Sequence, residues 1–158
     1  LNRRKLYLDT SVWNFSFYDK APEYQAATLE FFDKVRQGFF DIYFSQTVVE
    51  EIKPAPQPLR GLMEALVKEV APQLLPESPE VARLAVLYLE KGVLPPKSVA
   101  DAYHVAYATV HQMDAVVSWN FRHLASMNRR DRVASVNLDE GHRHPLNLVT
   151  PLEVLDND

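Results

Sequence analysis

Lys5-Leu6-Tyr7-Leu8-Asp9-Thr10-Ser11 is the stretch on which the fold turns. Residues 5–8 read as a short buried strand. Asp9-Thr10-Ser11 stops it, because such side chains offer the backbone local hydrogen bonds in place of a ladder. Working outward, strand and helix alternate. Residues 24–35 place Ala27, Phe31, Phe32 and Val35 at helical spacing, with Gly38 as the stop. Residues 39–45 are aromatic and β-branched, hence strand-like. Residues 47–53 form a helical turn or more, closed by Pro54, Pro56 and Pro58. Residues 59–70 set Leu62, Leu66 and Val70 on one side of a helix, and 73–75 make a short strand. Ser78-Pro79 opens the next helix as N-cap and first residue, with Val81, Leu84, Ala85 and Tyr88 inward and an end near Gly92. Residues 99–112 form a further helix and 115–119 a strand. Residues 133–138 and 146–149 are later strand candidates. Alternation of this kind builds a largely parallel α/β sheet covered on both faces. In such sheets reactive groups gather beyond the carboxyl ends of the strands. That directs attention to Asp9, to the segment after Ser45 and to the segment after Trp119.

Composition bounds the chemistry. The chain has 158 residues, 47% hydrophobic and 24% charged, which suits one globular domain and excludes a disordered tail or a coiled-coil rod. It contains no cysteine, so disulfides, thiolate metal sites and cysteine nucleophiles are excluded. No apolar run approaches the ~20 residues of a membrane span, and no signal peptide is evident, so a cytoplasmic protein is expected. A net charge of −4 argues against a nonspecific nucleic-acid coat but not against a nuclease. A cage of carboxylates is acidic until a cation loads it.

The acids each have two readings. Asp9 suits an Asx-turn over Ser11 or Val12, or a functional carboxylate at a strand end. Thr47-Val48-Val49-Glu50 has capping-box spacing, giving Glu50 a structural task. Glu51 has none and leans toward the apolar side of Val48, so it is preferred as the functional member. Ser98-Val99-Ala100-Asp101 also has capping-box spacing, yet Asp101 opens a helix that is small or aromatic nearly all round and hence buried. Like charges brought together raise one another's pKa, and a hard cation relieves them. Oxygen ligands select Mg²⁺ or Mn²⁺ over zinc.

Taken in order, these segments resemble the motifs of PIN-domain ribonucleases. Leu6-Tyr7-Leu8-Asp9-Thr10-Ser11 resembles the first. Phe44-Ser45-Gln46-Thr47-Val48-Val49-Glu50-Glu51-Ile52 resembles the second, in which the acid directly before an aliphatic residue, here Glu51, is functional. Ala100-Asp101-Ala102-Tyr103-His104-Val105-Ala106 resembles the third. Val116-Val117-Ser118-Trp119-Asn120-Phe121-Arg122-His123-Leu124 is similar to the fourth, which generally supplies an acid; here Asn120 and His123 stand in its place. The resemblance implies a three-layer α/β/α sandwich over residues 1–158, with a central parallel sheet of four or five strands. It implies a metal-dependent endoribonuclease of the VapC toxin type, with an antitoxin partner, a homodimeric state and RNA cut by activated water. The implied catalytic set is Asp9, Glu51, Asp101 and Asn120, the three acids holding Mg²⁺ or Mn²⁺ while Ser11 and Ser118 position water. The alternative is a catalytically weak or inactive PIN-like module that binds RNA or a protein partner, which the missing fourth acid favours.

The densest basic stretch is Arg122, Arg129, Arg130 and Arg132, suited to phosphate or simply to a solvated helix end. Arg122, His123, Arg129 and Arg130 are the RNA-binding candidates, with His123 either a phosphate contact or a cap. Tyr103, Tyr107 and Trp119 suit base stacking or core. His104 and His111 read as packing or polar-rim residues. Asp139-Glu140-Gly141-His142-Arg143-His144 offers imidazole and carboxylate suited to zinc, against an exposed turn. The scattered glycines exclude a phosphate-binding loop.

Overall fold

A computed structural model describes residues 2–122 and 125–156. The elements run β1 (Arg4–Leu8), α1 (Thr10–Phe15), α2 (Pro22–Arg36), β2 (Phe40–Phe44), α3 (Gln46–Ile52), α4 (Leu59–Val70) and β3 (Gln73–Leu74). They continue with α5 (Pro79–Glu90), α6 (Val99–Val110), β4 (Ala115–Val117), a 3₁₀ turn (Trp119–Phe121), α7 (Ala125–Asp139), β5 (Asn147–Val149) and α8 (Pro151–Asp156). The five strands form one sheet in the order β3-β2-β1-β4-β5, and every pairing is parallel. The α/β architecture expected from the alternation is the one observed, with a five-stranded parallel sheet flanked by helices.

β1 is the central strand. Leu6, Tyr7 and Leu8 are all 0% exposed. Successive strand residues point to opposite faces, so full burial of three in a row means that both faces are covered. The register pairs Tyr7 with Tyr43 on one side and with Val116 on the other. After β1 the chain builds outward through β2 to β3, then returns to place β4 and β5 on the opposite side. The order therefore reverses between β1 and β4, where open α/β sheets bind ligands. Asp9 follows β1 and Ser118 follows β4, at the mouth of that reversal.

Local chemistry explains the helices. In α5 the Ser78 hydroxyl accepts from Val81 N–H at 3.3 Å, Pro79 fills the first helical position, and Val81, Leu84, Ala85 and Tyr88 are buried, as expected. α2 begins with Pro22 and Glu23, ends with Lys34 and Arg36 in favourable dipole positions, and stops before Gly38 at φ +83°. α6 is buried nearly all round.

Three expectations change. Residues 133–138 are not a strand but the last turns of α7. Val133 and Val136 are buried together with Asn137, at i, i+3 and i+4, while Leu138 lies exposed. Valine at i and i+3 with leucine at i+5 satisfies either period loosely, and the helix side wins by tertiary packing. α4 buries Met63 and Leu66, whereas Leu62 is 45% exposed. Finally, Thr10-Ser11 does not merely stop β1 but starts α1.

Behind the sheet, Tyr88, Thr109 and Asn137 share a buried polar cluster. Tyr88 donates to Asn137 Oδ1 at 2.5 Å, Asn137 Nδ2 donates to Thr109 Oγ1 at 3.1 Å, and the Tyr88 and Thr109 oxygens lie 3.1 Å apart. Removing one member leaves another buried group unsatisfied. Tyr88→Phe is expected to lower the unfolding free energy by about 1–3 kcal/mol, read by chemical denaturation. A change near zero would mean that the cluster contributes nothing net.

Candidate active site

Asp9 is both the end of β1 and the N-cap of α1. Its Oδ1 accepts from Ser11 N–H at 3.0 Å and from the Ser11 hydroxyl at 2.6 Å, so the Asx-turn is real. Ser11 Oγ in turn accepts from Trp119 N–H at 2.9 Å and lies 3.4 Å from Ser118 Oγ. Ser118 caps the 3₁₀ turn by accepting from Asn120 N–H at 3.0 Å. The two serines thus brace the end of β1 to the end of β4 and aim Asn120 at the site. The Asn120 amide Nδ2 stands 3.5 Å from Asp9 Oδ2 and 3.4 Å from Asp101 Oδ1. Two carboxylates far apart in sequence face each other across one amide.

Neither capping box forms. Ser45 is the N-cap of α3 and Ser98 of α6, and neither makes a side-chain cap bond. The Ser45 hydroxyl is turned instead to the Tyr7 hydroxyl at 2.6 Å, and Asp101 is turned to Asn120. Glu50 is exposed and Glu51 faces inward. Glu51 Oε1 accepts from the Thr10 hydroxyl at 2.5 Å and meets His104 Nε2 at 2.6 Å. His104 Nδ1 lies 2.6 Å from the Tyr7 hydroxyl. The three acids therefore do not gather into a ready cage: Asp9 and Asp101 converge on Asn120, whereas Glu51 is drawn to His104. Among the described residues no three His, Asp or Glu side chains form a metal-holding group.

His104 is the member that sequence alone placed in packing. It follows Asp101 by three residues on α6, a spacing that puts both on one helix face, and that was the available clue. The ring is buried and faces all three acids.

Electrostatics follow from burial. Burial pushes the Asp9 carboxyl above its ordinary 3.8; the His104 charge and the Ser11 and Ser118 hydroxyls pull against it, and Asp101 adds to it. Burial likewise raises Asp101, with Glu51 adding, while His104, Asn120 and Arg129 oppose. For Glu51, burial is outweighed by the bond and charge of His104 and the bond from Thr10, so its carboxyl is lowered. Burial lowers the tendency of His104 to protonate, yet the Glu51 bond and the charges of Asp9, Glu51 and Asp101 raise it on balance. The three acids thus favour the charged form of the His104 ring.

The basic stretch divides by partner. Arg129 bears on Asp101 electrostatically. Arg130 forks onto Glu153 at 3.0 and 3.1 Å and donates to Phe121 O. Arg132 donates to the carbonyls of Gly92 and Lys91. Arg122 donates to Trp119 O at 2.6 Å and lies over the Phe15 and Tyr24 rings. His123 lies outside the described residues. Trp119 and Tyr107 are core, and Tyr103 is half-buried. Tyr103 lines a groove of about 510 Å³ together with Glu50, Glu51 and Glu77. At the far segment, Gly141 takes φ +86° in a turn and His144 meets Asp114 at 2.9 Å.

No family model matches the sequence, and no curated protein matches it. Among solved structures, that of FitAB bound to an IR36 DNA fragment is similar, with a TM-score of 0.56 over 92% of this chain and 94% of that one, at 20% identity. At this identity the likeness shows the fold. No helix among the described residues is long and apolar enough to cross a membrane.

A carboxyl whose folded pKa is raised contributes stability below its unfolded pKa and loses it as pH rises through the folded value. In chelator at about pH 7, Asp9→Asn is therefore expected to melt a few degrees above the wild type. The gap closes as pH falls toward the ordinary Asp value of 3.8. Thermal denaturation across that range reads it, and a variant less stable at neutral pH would refute the electrostatic assignment.

Proposed function

We propose that this chain, one domain over residues 1–158, is a metal-dependent endoribonuclease of the PIN type, acting as the toxin of a toxin–antitoxin pair. The observation that carries this reading is the convergence of Asp9 and Asp101 on Asn120 at the strand-order reversal. A buried carboxylate facing a half-buried one destabilises the fold when both are ionised, and a cation is the partner that relieves them.

The donor set fits Mg²⁺ or Mn²⁺, since every ligand is a hard oxygen. Asp9 and Asp101 would hold the ion, with Glu51 and the Asn120 amide oxygen beside them. When bound, such an ion supplies an acidified water and neutralises charge on the phosphoryl oxygens. The chain's own groups do the rest. Ser11 fixes the rotation of Asp9, and Ser118 fixes the turn that presents Asn120 and holds water at the mouth. Arg129, whose charge bears on Asp101, would meet a phosphate oxygen, as would Arg122, an exposed residue whose guanidinium lies on an aromatic bed. Arg130 serves chiefly as a strut to Glu153.

The solved structure of FitAB shares this fold, and the resemblance of the motifs adds an antitoxin partner to the proposal. RNA as substrate, a homodimer and a cytoplasmic location complete the proposal. A second reading, a weak or inactive module binding RNA or a protein, is favoured by one observation: Asn120 supplies an amide where the resembled motif has an acid.

Purified protein incubated with a structured RNA pool is expected to cut in Mn²⁺ and not in chelator. Asp101→Asn is expected to slow cutting by at least about a hundredfold, the scale of a lost electrostatic contact at a reacting phosphate, with circular dichroism unchanged. Cleavage that persists in chelator, or in this variant at full rate, would end the nuclease reading. Neither calorimetric heat with Mn²⁺ nor cleavage would favour the binding module.

A further inference from the structure

We propose that His104 is a positioning residue for Glu51, a buried ring fixed by Tyr7 and Ser45 that aims one oxygen of the Glu51 carboxylate. The inference rests on the nuclease reading and adds to it a residue that neither the acidic motifs nor the fold likeness assigns.

A buried imidazole needs partners for both ring nitrogens. His104 has them: Glu51 Oε1 at 2.6 Å from Nε2, and the Tyr7 hydroxyl at 2.6 Å from Nδ1. An ionised carboxylate only accepts, so Nε2 carries the proton whether the ring is neutral or charged. The Tyr7 hydroxyl adapts on the other side. It donates to a bare Nδ1 while accepting from Ser45, or accepts from a protonated Nδ1 while donating to Ser45 Oγ at 2.6 Å. Either way the bond to Glu51 keeps its direction.

The chain Ser45–Tyr7–His104–Glu51 spans the start of α3, β1, α6 and again α3. It closes on the helix that bears Glu51, so the carboxylate cannot turn without breaking a buried link. Thr10 adds a second bond to the same Oε1. Both bonds fall on one oxygen, and Oε2 takes part in neither. The Glu51 side chain is 36% exposed and borders the groove with Glu50 and Glu77. Released from His104, a long side chain at that margin has solvent to swing into. The ring therefore fixes the direction of the Glu51 carboxylate at the margin between site and groove.

Two polar substitutions separate positioning from structure. His104→Gln carries an amide that reaches toward the Nε2 position and still donates to Glu51. His104→Asn carries one near the Nδ1 position, which meets Tyr7 but falls short of Glu51. His104→Asn is expected to lower kcat and Mn²⁺ affinity by about 10–100-fold, the usual cost of losing an orienting partner of a metal ligand, with KM for RNA nearly unchanged. His104→Gln is expected to recover most of both losses, although the two variants melt at similar temperatures. A purely structural role predicts equal losses in the two variants, tracking their melting temperatures, and that result overturns the proposal. If the Asn variant does not fold, His104→Phe takes its place in the comparison with Gln. In the metal-free wild type, nitrogen NMR of the imidazole is expected to show Nε2 protonated; a neutral Nδ1–H ring overturns the proposal independently of activity. A wild type that neither binds Mn²⁺ nor cleaves sinks the nuclease reading and this role with it. A wild type that does both, matched by an Asn variant that also does both, sinks this role alone.

Discussion

Burying the Asp9 carboxylate between β1 and β4, opposite Asp101, sets the terms for its surroundings. A charge that leaves water for such a site needs partners, and a second carboxylate nearby increases the demand. The fold answers with three donors, the Ser11 backbone and hydroxyl and the Asn120 amide, and with the charge of the His104 ring nearby. Each of these groups is then itself anchored. Ser11 is tied to Trp119, Asn120 is held by Ser118, and His104 is held by Tyr7. The end of the sheet is rigid because its polar groups are used twice, once on an acid and once on the backbone or a buried neighbour.

Much of this was legible in the sequence, and the failures have physical causes. The Leu6-Tyr7-Leu8 run declared a strand covered on both faces, and the alternation that followed declared a parallel sheet. Ser78-Pro79 announced a helix start that the structure keeps. The capping boxes misled because spacing shows that a bond is available, not that it is made. Thr47 lies inside α3, whose N-cap is Ser45, so no box can close there, and Asp101 is turned to the Asn120 amide instead of a cap. The helix α1 was hidden for a related reason: Asp9 ends a strand with the same side chain that begins a helix. His104 was read as packing because an imidazole on an apolar helix face is silent until its two partners, from strand and helix far away in sequence, come into place.

Density of charge was a poorer guide than partner. Arg122, Arg129, Arg130 and Arg132 look alike as a stretch, yet a guanidinium has a planar fork that matches carboxylates and carbonyls as readily as phosphate. Arg130 and Arg132 meet such acceptors within the chain. Arg129 bears on an acid of the site itself. A sequence cannot sort these, because the acceptors Glu153, Gly92 and Lys91 are distant along the chain and reach α7 only once α5, β5 and α8 are packed.

Asn120 remains the most informative departure from the motif it resembles. An acid there would add a third carboxylate to a site where burial already raises Asp9 and Asp101. The His104 ring and Arg129 would then have to offset one more negative charge than they already do. An amide has both polarities on one head. Its nitrogen donates to both carboxylates as the site stands, which steadies the metal-free fold. Rotation about its last bond would present oxygen instead, the donor a hard cation takes. A neutral residue at this position therefore trades ligand charge for stability of the empty site. Exchange for an acid would shift that balance toward tighter cation binding and a less stable apo fold. On this view the substitution is a change of poise within one kind of site, whose third acid, Glu51, is held in place by His104.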